Sequence, residues 1–210
     1  MQNGFNRSGL KGGWRLEILN PVILAVPEEK KGLSGREKVK FLSDHARKAL
    51  GLSADFSGIR LGKLEKDENG VPLPSGDYFW SLSHKPLYVG GVVSNSPVGL
   101  DIEQLREISP GLFKKTASQE EWALGKEPEK ALFFRFWTAK EAVIKANGTG
   151  IRDLLKCRVT DIIDSRNLMI RFQNKTWQIE NMVFNGHTAA VVCSKQIINW
   201  TILREENSCI

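Results

Sequence analysis

Asp101 and Glu103 stand two residues apart in the run Val98-Gly99-Leu100-Asp101-Ile102-Glu103. On a β-strand, residues i and i+2 project from the same face, so the pair can offer two oxygen donors to one cation. Val98, Leu100 and Ile102 are apolar, which makes the carboxylates leave an otherwise buried strand at an edge or junction. Burying two like charges without a counter-ion is costly. A lone D-x-E is more often a solvated strand end, and other groups converging on it must decide.

A second group lies in Trp137-Thr138-Ala139-Lys140-Glu141-Ala142-Val143-Ile144-Lys145. On a helix, Glu141 and Lys145 share a face one turn apart, which alone describes an ordinary surface ion pair. Phe133, Phe134, Phe136, Trp137, Val143 and Ile144 make this helix apolar over most of its circumference, so it should be central. A glutamate and a lysine there need a reason. The third group is Ser83-His84-Lys85 at a strand-to-turn position. Without a G-x-S-x-G elbow, Ser83 is a poor nucleophile. The three side chains make better sense as donors to phosphate oxygens. No G-x-x-x-x-G-K-[ST] loop and no H-E-x-x-H occurs, and Gly148-Thr149-Gly150 reads as a helix stop. Phosphate would have to be held by side chains and metal.

Positioning these groups takes two long helices and several short strands. Ser34, with Glu37 three residues on, marks a helix from about Gly35 to Leu50, stopped by Gly51, with Val39, Leu42, Ala46, Ala49 and Leu50 toward the core. Trp14 to Val26 reads as one or two strands, and residues 1–13, with four glycines, as a mobile arm. Ile59 to Glu65, Tyr78 to Leu82 and Leu87 to Val93 read as antiparallel strands, with a turn at Asp67 to Gly70. After Pro97 the order begins again. A strand over Val98 to Glu103 is followed by helical material from Ser118 to Asn147, then strands near Leu168–Phe172, Trp177–Phe184, Thr188–Cys193 and Ile198–Leu203. The expected class is α+β, with lobes over 1–97 and 98–210, each a principal helix on a small, mostly antiparallel sheet.

Composition limits what these groups can serve. The 210 residues are 41% hydrophobic and 26% charged, which is ordinary for a globular chain and argues against extended disorder. Three cysteines, Cys157, Cys193 and Cys209, are too few and irregular for a disulfide framework or a C-x-x-C metal site. The early apolar run Ile18 to Val26 is broken by Asn20 and Pro21, so it reads as a strand rather than a signal peptide. No run has the length to cross a bilayer. A cytoplasmic, membrane-free protein is expected. The formal net charge of +6 favours a polyanion, whether nucleic acid, a nucleotide cofactor or an acidic protein. A solvated basic surface without a partner fits the charge equally.

Together the three blocks resemble the 4'-phosphopantetheinyl transferase superfamily, specifically its two-lobed type that activates surfactin and enterobactin synthetases. The resembling residues are Ser81-Leu82-Ser83-His84, Val98 to Glu103, and Trp137 to Lys145 followed by Gly148-Thr149-Gly150-Ile151, in matching order and spacing. The motif region covers about residues 59–151. The resemblance implies two lobes about a pseudo-two-fold axis, with coenzyme A in the cleft between them and Mg²⁺ on Asp101, Glu103 and Glu141. It implies Glu141 as base for a carrier serine, Lys145 stabilising the transferring phosphoryl group, and Ser83 and His84 fixing the phosphates. The family's G-K-P turn reads Gly70-Val71-Pro72 here, so a phosphate-contacting lysine is missing, and its usual serine after the histidine is Lys85. Lys85, Lys63 or Arg47 would restore positive charge near the cofactor. The implied partner is an acidic apo carrier protein, with a monomer sufficient. Two other readings stay open: a degenerate member that binds coenzyme A or a carrier without transfer, and a basic nucleic-acid-binding protein whose six tryptophans stack bases. The scattered, core-like placement of those tryptophans speaks against the last.

Overall fold

A computed structural model describes residues 17–193 and 196–204; the expected arm over residues 1–13 and Cys209 lie outside the described residues. In chain order the elements are β1 (Ile18–Leu19), β2 (Val22–Ala25), α1 (Gly35–Ser57), β3 (Phe79–His84), β4 (Tyr88–Ser94), β5 (Leu100–Gln104), α2 (Pro110–Lys114), α3 (Gln119–Trp122) and α4 (Glu129–Asn147). They continue as β6 (Arg158–Ile162), β7 (Asn167–Phe172), β8 (Lys175–Phe184), β9 (His187–Val192), β10 (Ile197–Ile198) and β11 (Thr201–Leu203). The fold is α+β. One sheet runs β11-β2-β4-β3, the other β5-β9-β8-β7-β6, and β1 pairs β10 separately. All pairings in the five-stranded sheet are antiparallel. β11 runs parallel to β2, so the strand expected within 198–203 crosses back to the first sheet.

Each large sheet carries one long helix, and each helix lies against a glycine. Helix α1 buries Leu42, Ala46 and Ala49 on Val22, Leu24 and Val89. A Cβ on Gly91 of β4 would stand 2.3 Å from the Leu50 amide nitrogen, so only hydrogen fits beneath the helix. Helix α4 crosses the entry to β5 still more closely. A Cβ on Gly99 would sit 1.8 Å from the Ala142 carbonyl oxygen. This glycine fixes the height of α4 above the strand that carries Asp101 and Glu103.

Helix α1 begins at Gly35 as the sequence predicts but runs past its expected end. It passes Gly51 and stops at Gly58, which takes the left-handed conformation at φ 64°. An internal glycine costs about 1 kcal/mol, but tertiary contacts beyond it outweigh that. Ser53 Oγ donates to Asn20 O and accepts from the Val93 amide, while Ala54 packs with Trp80 and Val93. Val39 is 62% exposed rather than core-facing: it lies on the same stripe as Leu42, Ala46 and Leu50, but burial in α1 begins only at Leu42, so the first turns of the helix stand in solvent. Ser34 stands at the N-cap without a side-chain bond; the capping box forms instead at Ser118 and Glu121, before α3. Residues 59–65 form no strand, and this segment contributes only a Lys66–Pro72 bridge around the expected Asp67–Gly70 turn.

Helix α4 is apolar nearly all round, burying Leu132, Phe133, Phe136, Ala139, Ala142 and Val143, and Gly148 ends it at φ 69° as the sequence predicts. Lys140, fully buried, faces away from the carboxylates of β5. Its ammonium pairs with Glu121 at 2.7 Å and donates to Thr116 O. Glu121 also accepts from the Val159 and Ser118 amides, tying α3, β6 and α4 together. Burial pushes the Cys157 and Cys193 thiols up to about 12, so both stay protonated and inert. Among the described residues no helix is long and apolar enough to cross a membrane.

Candidate active site

Strands β3 and β5 are the facing edges of the two large sheets, and serines join them. The Leu100 amide donates to Ser81 Oγ at 3.0 Å and the Ile102 amide to Ser83 Oγ at 3.1 Å, so two hydroxyls satisfy amides that no strand pairs. Ser83 then donates onward to Asp101 Oδ1 at 3.0 Å. The carboxylates of Asp101 and Glu103 are thereby set into the junction, at 2% and 8% exposure. This agrees with the apolar setting read from their neighbours.

Helix α4 brings the second group to the same place. Lys145 Nζ donates to Asp101 Oδ1 at 2.8 Å, to Leu100 O at 3.0 Å and to Leu82 O at 3.4 Å, so the three donors of one ammonium face three protein acceptors. Trp137 Nε1 donates to Glu103 Oε1 at 3.1 Å. Glu141 titrates at about 7, pushed up by burial and then by Asp101, with Glu103 adding to the effect and Lys145 and Lys85 opposing it. A carboxyl group of that kind can hold or release a proton near neutral pH.

The remaining predicted residues divide. Lys85 Nζ pairs with Glu103 Oε1 at 2.7 Å; burial works against its charge, but Glu103, Asp101 and Glu141 raise its pKa overall. His84, at the exposed end of β3, has its pKa lowered by burial and by Lys145, Lys85 and Lys66, which keeps the ring neutral at pH 7. Ser83 Oγ gives its one hydrogen to Asp101 and accepts from the Ile102 amide, so its donor is engaged within the strand junction. Lys63 pairs with Glu65 and is 83% exposed, and Arg47 makes no contact with the carboxylates among the described bonds and ion pairs. The cation that reasoning from sequence missed is Lys66, which reaches His84 electrostatically from the 66–72 bridge. Val71 of that turn lies beside Gly148 at the end of α4, which gives the turn its place.

Among the described residues no set of three His, Cys, Asp or Glu closes on a metal position; two lysines stand on the carboxylates instead. The donor set nevertheless fits a hard divalent cation. Asp101 Oδ2 is buried without a hydrogen-bond partner, and the second oxygen of Glu103 accepts no bond from the described residues. Each carboxylate thus has one oxygen held by protein donors and one left over, with Glu141 crowded beside them. A cavity of about 240 Å³ opens next to Glu103, lined by Arg106, Ser109, Leu112, Phe133 and Trp137 among others. A larger one, about 710 Å³ beside Arg135, Met182 and Trp200, contains none of the predicted site residues.

Residues 97–193, which include both carboxylates of β5 and all of α4, match the model of the 4'-phosphopantetheinyl transferase superfamily. The chain is 31% identical over 131 residues to the 4'-phosphopantetheinyl transferase psf-1 of Bacillus pumilus, covering 55% of each chain. It is 36% identical over 92 residues to the 4'-phosphopantetheinyl transferase gsp of Aneurinibacillus migulanus, covering 42% of this chain and 39% of that one. With the 4'-phosphopantetheinyl transferase HetI of a Nostoc species the identity is 34% over 114 residues, 47% and 48% of the two chains. The matches span about half the length of these curated relatives, or less.

Proposed function

We propose, from the match of residues 97–193 to the model of the 4'-phosphopantetheinyl transferase superfamily, that the chain belongs to that superfamily and transfers 4'-phosphopantetheine from coenzyme A to a serine of an apo carrier protein, releasing 3',5'-ADP. The observation that carries this reading is the convergence of Glu141 and Lys145 from α4 on Asp101 and Glu103 from β5. Such a cluster leaves carboxylate oxygens of Asp101 and Glu103 free for a cation and holds Glu141 as a nearby proton acceptor.

The serine oxygen attacks the phosphorus that bears pantetheine, and the bond from that phosphorus to the bridging oxygen breaks. The electron pair leaves with 3',5'-ADP, and the serine proton passes to a Glu141 oxygen. Because Lys145 is fully engaged with Asp101 and two carbonyls, it acts as a fixed positive charge that also aims Asp101. The neutral ring of His84 donates an N–H to the phosphates, while Lys85 and Lys66 supply positive charge beside it. Asp101, Glu103 and Glu141 would hold Mg²⁺, whose chemistry there is neutralisation of diphosphate charge. In this reading the β3–β5 junction is the cleft between a lobe over residues 1–97 and one over 98–210, and the monomer suffices. The net charge of +6 suits an acidic carrier and a salt-dependent encounter.

The test is to incubate the protein with coenzyme A, Mg²⁺ and a panel of apo carrier proteins and weigh the products. A mass gain of one phosphopantetheine group, lost when the metal is chelated, is expected. Unchanged carriers across the panel would contradict the assignment.

A further inference from the structure

The two lysines at the carboxylates are held very differently. The two side chains are almost equally exposed, 30% for Lys145 and 31% for Lys85, but Lys145 donates to Asp101 and to the carbonyls of Leu82 and Leu100, so moving its ammonium breaks three bonds inside the β3–β5 junction. Lys85 follows the last residue of β3, and its ammonium has a single partner among the described residues, Glu103 Oε1. That oxygen also accepts from Trp137, so Glu103 stays oriented when Lys85 leaves. One lysine is a fixture, and the other is displaceable.

We infer that Lys85 is an exchangeable counter-ion of Glu103, offsetting the charge of this carboxylate in the free site and thereby weakening its hold on a divalent cation until an anionic diphosphate draws the lysine away. The inference rests on the proposed metal role of Asp101, Glu103 and Glu141. A cation at the leftover oxygen of Glu103 would feel the Lys85 ammonium across a single carboxylate, close enough for strong repulsion in a half-buried site. Freeing Glu103 requires breaking one ion pair that is open to water on the lysine side. An arriving diphosphate offers the ammonium more negative charge than the carboxylate it leaves. Metal and diphosphate would then favour each other's binding through a side chain of the protein itself.

The experiment is calorimetric titration of Mn²⁺ alone into the full chain. Wild type is compared with Lys85→Ser, with Lys85→Met, which keeps the aliphatic stem, and with Lys85→Arg, which keeps the charge. Lys156→Ser removes one positive charge elsewhere, and circular dichroism checks each fold. Lys85→Ser and Lys85→Met are expected to bind Mn²⁺ about tenfold tighter than wild type, with Lys85→Arg and Lys156→Ser within about twofold of it. If wild type binds Mn²⁺ and the two neutral variants bind no tighter, the counter-ion role is wrong while the metal site stands. If none of the proteins binds Mn²⁺, the metal site itself is wrong and the role of Lys85 falls with it.

Discussion

Helices α1 and α4 meet their sheets by the same device, yet of the two it is α4 that carries groups of the candidate site. Each crosses a strand at a glycine, Gly91 beneath Leu50 and Gly99 beneath Ala142, where a methyl group has no room. Helix α1 buries a stripe of small and aliphatic residues and turns Val39 and its charged residues toward water. Helix α4 is buried on nearly every side and takes charge inward at three places: Arg135 to Glu127, Lys140 to Glu121, and Glu141 with Lys145 toward Asp101. The close crossing supplies precision in both halves; chemistry arises where that precision is applied to groups the interior tolerates poorly. The buried Lys140 and the half-buried Lys145 also have different work. Lys140 holds the α3 segment and β6, whereas Lys145 aims a carboxylate.

Four substitutions sharpen the contrast, from the largest stability effect to the smallest. Lys140→Met strands Glu121 in the core and should cost about 4 kcal/mol, with most of it recovered in Lys140→Met/Glu121→Gln; urea titration of both reads this out. Gly99→Ala and Gly91→Ala should each cost on the order of 3 kcal/mol by forcing a helix off its sheet. Only Gly99→Ala should also alter Mn²⁺ binding, because only α4 brings Glu141 to the proposed metal site. Equal effects of the two on Mn²⁺ affinity would show that the distinction drawn between the helices is mistaken.

The pH dependence of stability is a third, smaller effect. Folding raises Glu141 from 4.5 to about 7, so the folded chain retains a proton that the unfolded chain has released. This contribution is full below pH 4.5, declines as pH rises toward 7 and is gone above it, an amplitude of at most about 3 kcal/mol. In chelator, Glu141→Gln should flatten that slope; a slope matching wild type would mean that another group carries it. Ser83→Ala should cost about 1–2 kcal/mol, because the Ile102 amide and Asp101 each lose a partner.

Much of the site was legible because it obeys local periods. Two carboxylates at i and i+2 on a strand and a Glu–Lys pair one turn apart on an apolar helix need no tertiary knowledge to be recognised. What those residues do for one another was not legible. Ser83 has the right type for a phosphate donor, but its hydroxyl is used by an unpaired amide of β5, a contact between strands that sequence order does not announce. Lys66 lacked any motif and reaches His84 only because the 66–72 turn folds toward Gly148. In the fold, the end of α1 was misread at Gly51, since the interactions of Ser53 and Ala54 that carry the helix onward come from distant strands. The parallel return of β11 to β2 escaped for the same reason, as its partners are about 180 residues apart.

The central claim is that Glu141, crowded by Asp101 and Glu103, takes the proton in a phosphopantetheine transfer. Its most direct test is the initial rate of carrier loading at pH 7.5 and saturating coenzyme A and Mg²⁺, measured side by side for wild type and Glu141→Gln, with circular dichroism showing that both are folded. The account predicts a loss of at least about a thousandfold in the folded variant. Loading by Glu141→Gln at the wild-type rate would contradict it.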